Sequence, residues 1–243
     1  RKLRRRKMAE KVGTYDPEAG ARFPFHQDDL KYHHIKPKQK ENSSAVIFFL
    51  MDVSGSMSQD RKYLARSFFF LLYQFLNHKY EKVEVVFISH STFAERVSED
   101  DFFKVGTHGG TLISSALDKQ IEIIGKEFHP NTWNIYTFYC GDGENWSSDN
   151  EKAVDEFKKI KEISQLVGYC EINEHYEGLS DEDMDAASIA DLTMPNFSAW
   201  KNENLENLWS RLTPICDTKF KKIMIGQKEH IWGAFNTLFG AKN

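Results

Sequence analysis

The chain has 243 residues, of which 40% are hydrophobic and 28% charged, and its net charge is −4. That is enough for one sizeable α/β domain with extensions, or for two small domains. The mild acidity excludes nucleic-acid binding by bulk electrostatics, and the most apolar helical stretch, residues 68–76, falls far short of the roughly 20 residues of a membrane span.

In chain order, residues 1–42 form a leader. Its first seven residues are almost wholly basic, and the rest is broken by Gly13, Pro17, Gly20, Pro24 and Pro37. A basic arm of this kind is ordinarily solvated; contact with RNA is the alternative. The sequence opens on Arg1 rather than a methionine and leaves open what precedes it.

From residue 45 strands alternate with helices. Residues 45–51 are a continuous apolar run and read as a buried central strand. A helix follows over 60–79, with Leu64, Phe68, Leu71, Leu72, Phe75 and Leu76 on one face. A second strand covers 83–89, and the alternation over 92–97 suits an edge strand or hairpin arm. A glycine turn at 106–110 leads into a helix over 112–128, and 134–140 is again a strand. A helix over 149–165 and a strand over 166–172 come next, then an acidic, irregular stretch from 174 to 200. A helix over 203–212, a last strand over 220–225 and an apolar tail over 230–239 close the chain.

This alternation predicts an α/β fold, a doubly wound, mainly parallel sheet flanked by helices, with N- and C-terminal extensions. The expected organisation is a leader (1–42), one domain (43–228) and a tail packed on it (229–243). Cys140, Cys170 and Cys216 are odd in number and far apart. Free thiols and a reducing, cytoplasmic setting are therefore expected.

The chemistry is concentrated in three loops. The first strand ends in Asp52, Ser54 and Ser56, with Gly55 between the serines. His108, Gly109, Gly110 and Thr111 precede a helix, and Gly141, Asp142, Gly143, Glu144 and Asn145 follow a strand. Open α/β sheets place ligands at the carboxyl ends of their strands. Two carboxylates and three hydroxyls suit a hard cation, Mg²⁺ first, with Mn²⁺ and Ca²⁺ as alternatives. Each loop alone is weak evidence, because Thr111 also suits a helix N-cap and Asp142 a turn.

Asp52, Ser54, Ser56, Thr111 and Asp142, in that order, resemble the metal-ion-dependent adhesion site of von Willebrand factor A domains. The resemblance implies a von Willebrand factor A-like, Rossmann-like domain in which an acidic residue of a protein partner completes the metal shell. A narrower resemblance runs through residues 13–17, 33–35, 41–44, 48–57, 65–72, 85–90, 109–116 and 133–136. These segments are similar to the YhbH/YeaH family of bacterial proteins. That likeness implies a cytoplasmic accessory protein of sporulation or stress responses, with a PrkA-type serine kinase or a SpoVR-type protein as partner. Gly141, where that family often has Ser, and Glu144 depart from its pattern without removing a ligand.

Around the loops, His90, His108, Glu144 and Trp146 are the candidate partner contacts. His33 and His34 are adjacent, and neighbouring side chains of an extended segment point opposite ways, so they do not share a metal. Asp181, Asp183 and Asp185 begin like an EF-hand loop, but its sixth and twelfth positions are Ala186 and Leu192. A metal-dependent phosphoryl hydrolase is the rival to a binding module. Its aspartate-nucleophile form needs an acid two residues after Asp52, and Ser54 stands there. No nucleophile elbow or phosphate-binding glycine loop is present.

Overall fold

A computed structural model describes residues 7–8, 44–104, 106, 109–173 and 207–240. The chain divides into two compact units, residues 1–41 and 42–243. In the first, Lys7 and Met8 are helical. The second carries the fold. His33 and His34 of the leader, His108 and the acidic stretch with Asp181, Asp183 and Asp185 lie outside the described residues.

Strand β1 (Ser44–Asp52) is buried along almost its whole length, as its unbroken apolar run requires. Helix α1 (Gln59–Lys79) returns the chain to β2 (Lys82–His90), and a tight turn adds β3 (Ala94–Val97). A four-residue helix α2 (Glu99–Phe102) comes next, too short to leave a periodic signal in the sequence. Helix α3 (Ile113–Glu127), β4 (Asn134–Gly141), α4 (Asn150–Ile163) and β5 (Leu166–Ile172) then alternate. Short α5 (Leu208–Leu212), β6 (Phe220–Ile225) and α6 (His230–Phe239) complete the unit.

The six strands are ordered β3-β2-β1-β4-β5-β6. All neighbours are parallel except β2 and β3. This is the doubly wound α/β sheet expected, with its order reversing at β1. The alternating side chains of β1 divide the core into two layers. Ala45, Ile47, Phe49 and Met51 face α1 and α6, where Phe49 stacks on Phe69 with ring centroids 4.3 Å apart. Val46, Phe48 and Leu50 face the layer formed by α3, α4 and α5. Among the described residues no helix is long and apolar enough to cross a membrane.

The observed helix α1 buries Leu64, Ala65, Phe68, Phe69, Leu72 and Leu76 and leaves Phe70 exposed. Cys140 and Cys170 are free, buried and paired in register across β4 and β5. Burial pushes the Cys170 thiol well above its usual range, so these sulfurs act as core atoms.

Candidate metal centre

The carboxyl ends of β1 and β4 bring two of the three loops together, because Met51 and Cys140 are register partners and each strand runs straight into its loop. Asp52 closes β1 and is fully buried. Its Oδ1 accepts the Ser54 N–H at 2.8 Å, which folds the loop back over the carboxylate. The Ser54 and Ser56 hydroxyls lie 3.0 Å apart, on the same side of the loop.

Thr111 reaches this cluster from the second loop. Its hydroxyl is buried and points at Asp52, donating to Oδ2 at 3.4 Å. It does not cap α3, whose N-cap residue is Leu112 without a side-chain bond. The cap comes from the third loop. Asn145 Oδ1 accepts from the Ile113 N–H at 3.0 Å, and Asp149 accepts from both the N–H and the hydroxyl of Ser114 at 3.0 and 2.5 Å. The Trp146 N–H donates to the Thr111 carbonyl at 3.2 Å. Two loops about 30 residues apart are thus sewn together, and the Thr111 hydroxyl is released for the cluster.

Asp142 turns its own loop by accepting the Glu144 N–H at 3.1 Å, and Gly143 beside it takes a φ of 86°, where a side chain would be strained. Its other oxygen meets Arg61, whose Nη1 lies 3.3 Å from Asp142 Oδ2 and 3.0 Å from the Ser56 carbonyl. Nothing in the sequence ties Arg61 to Asp142, which lies 81 residues away.

The electrostatics ask for a cation. Burial, and after it the charge of Asp142, pushes the Asp52 carboxyl up to about 6, against the Ser54 and Thr111 hydrogen bonds. The buried Lys62 amine is pulled down by desolvation and only partly restored by the field of Asp52. A divalent ion beside Asp52, Ser54, Ser56, Thr111 and Asp142 would relieve that cost. The donors are all oxygen, which fits Mg²⁺, Mn²⁺ or Ca²⁺. Among the described residues no three His, Cys, Asp or Glu side chains gather as a transition-metal site would need.

The remaining candidates separate. Glu144 and Trp146 are exposed on a cleft of about 530 Å³ that also opens onto Ser54, Ser56 and Thr111. His90 is not a rim residue. It ends β2, but that strand end is paired with Asp52 on one side and Ala94 on the other, and His90 is only 1% exposed. Its ring packs near Tyr139, and neither ring nitrogen finds a well-formed hydrogen bond. Desolvation pulls His90 down to about 4, with the Ser91 and Leu112 backbone opposing weakly. It cannot touch a partner. Beneath the Asp142 loop, Glu171 accepts from the Tyr169 hydroxyl at 2.8 Å and is pushed up to about 7 by burial.

These features define a doubly wound α/β domain with an oxygen-donor cluster at the carboxyl edge of its sheet. The chain belongs to the family described as "Protein of unknown function (DUF444)", whose model matches residues 2–242. A UPF0229 protein of Ruminiclostridium cellulolyticum is 45% identical over 226 residues, covering 93% of this chain and 51% of the relative. A UPF0229 protein of Clostridium perfringens is 47% identical over 172 residues, covering 71% of this chain and 43% of the relative. The chain therefore spans about half the length of the curated relatives it matches. Among solved structures, the manganese-loaded TRAP protein of Plasmodium vivax aligns at 11% identity and a TM-score of 0.46, over 80% of this chain and 72% of that one. Proximal thread matrix protein 1 from the mussel byssus aligns at 13% identity and a TM-score of 0.45, over 80% and 45%. At those scores neither bears on the site.

Proposed function

We propose that the domain is a non-enzymatic module that binds a protein partner through a Mg²⁺ ion held by Asp52, Ser54, Ser56, Thr111 and Asp142. The observation that supports it most is the Thr111 hydroxyl, which is spared from capping α3 and turned onto the buried Asp52. Three neutral hydroxyls and two carboxylates leave a bound Mg²⁺ electrophilic, and an acidic side chain of the partner completes its shell. Mn²⁺ or Ca²⁺ would fit the same donors. The likeness to the YhbH/YeaH family makes a PrkA-type serine kinase or a SpoVR-type protein the first partners to test, in a sporulation or stress pathway.

The test is capture of such a partner in Mg²⁺ and in EDTA, with Mg²⁺ binding measured by calorimetry. Wild-type protein should capture only in Mg²⁺. Asp52→Asn should bind no metal and capture nothing, while keeping its circular dichroism. Capture that persists undiminished in EDTA overturns the reading.

A further inference from the structure

The cleft beside the cluster is longer than a metal shell needs. From Ser54, Ser56 and Thr111 it continues past Glu144 and Trp146 to Asn150, Asn207 and Leu208. Trp146 is 51% exposed, although its surroundings hold it still. Its N–H donates to the Thr111 carbonyl and its carbonyl accepts the Asp149 N–H at 2.8 Å, so both backbone groups are committed. The Nε1 side of its indole occupies the space a Cβ on Gly110 would fill, so the ring packs directly against that glycine. A rigid, half-exposed tryptophan at a concave site loses little entropy on contact and offers a large apolar face.

Accepting the metal-dependent reading above, we propose that the cleft takes an extended segment of the partner carrying an acidic residue for the metal and, two positions along, an aromatic or branched apolar side chain for Trp146. Two residues is the shortest spacing that puts two side chains of an extended chain on one face, about 7 Å apart. Trp146 is bonded through its backbone to Thr111, a metal-site residue, so cluster and indole are neighbours on one wall. The exposed Glu144 carboxylate, which lines the same cleft, sets the charge rule. It disfavours a run of acids and favours a single acid with a basic residue beside it.

Fluorescein-labelled peptides Lys-Asp-Gly-Phe, Lys-Asp-Gly-Ala and Lys-Asn-Gly-Phe, titrated by anisotropy in Mg²⁺ and in EDTA, provide the test. In Mg²⁺ the first should bind wild-type protein at least fivefold tighter than the second, and the third should not bind. Trp146→Ala should erase the preference for Phe while leaving the calorimetric Mg²⁺ affinity unchanged. Equal Mg²⁺-dependent binding of the Phe and Ala peptides, or a preference that survives in Trp146→Ala, overturns the Trp146 subsite and leaves the metal reading standing. Absence of Mg²⁺-dependent binding by either aspartate peptide overturns both.

Discussion

At the scale of single residues, position along a strand is a poor guide to exposure. His90 ends its strand, which suggests the rim, yet a hairpin and the neighbouring β1 cover it completely. Its burial makes stability depend on pH. His90 ionises at about 4 in the fold against an ordinary 6.5. Between those values the unfolded chain binds a proton that the folded protein refuses, so its contribution to stability is full above pH 6.5 and is lost as pH falls toward 4. Replacing it with an apolar ring removes that loss. In urea unfolding with EDTA, His90→Phe should gain on wild type by about 2–3 kcal/mol between about pH 7 and pH 4.5. Any constant cost of fitting the new ring drops out of the comparison. A stability difference that does not change with pH would show that His90 titrates normally.

At the scale of elements, the alternation of apolar runs with helical periodicity made the sheet legible, because a parallel strand buried on both faces is written as a continuous run. Strands β5 and β6 fall where the pattern placed them, at Leu166–Ile172 and Phe220–Ile225. The three oxygen-bearing loops were also legible as loops, since glycines beside oxygen side chains at strand ends are a local signal. The link between those loops was not. Asn145 and Asp149 cap a helix that begins more than 30 residues earlier, and a cap supplied from outside the helix leaves no mark in the helix's own sequence. Arg61 on Asp142 was hidden for the same reason. Because Asp149 is buried and satisfies two donors of Ser114, Asp149→Ala should cost about 2–3 kcal/mol in urea unfolding. It should also weaken Mg²⁺ binding several-fold, since Thr111 lies just before the helix start it anchors. Asp149→Asn, which still accepts hydrogen bonds, should lose less on both counts. An alanine variant with wild-type stability and metal affinity would mean that α3 holds Thr111 without help.

At the scale of the whole molecule, the question is what closes the face of the sheet opposite α3 and α4. Among the described residues, helix α1 covers much of it, Phe102 of α2 packs at the β2 side against Phe69 and Phe87, and α6 lays Ile231, Ala234, Phe235 and Leu238 into the same core as Phe49 and Phe138. Phe235 and Phe239 pack on Phe75 of α1 with centroids 5.3 and 4.5 Å away. The sheet is shaped to receive the helix. At Gly168 in β5 a Cβ would come within 3.3 Å of Leu238 and 2.9 Å of Phe138, so the missing side chain is what admits close approach. Lys221 of β6 reaches over to the last turn and donates to the Thr237 and Leu238 carbonyls at 2.8 and 2.9 Å, where a cation is favoured. Burying those four side chains contributes on the order of 6 kcal/mol, comparable with the roughly 5–15 kcal/mol that holds a typical domain together. The helix therefore belongs to the fold and is no appendage. Deleting residues 229–243 should abolish the cooperative urea transition and the near-ultraviolet dichroism of the packed aromatics. Phe235→Ala should lower stability by about 3 kcal/mol while leaving the Mg²⁺ affinity of the folded protein unchanged. A truncated protein that still unfolds in one sharp transition would show that this face is sealed without α6.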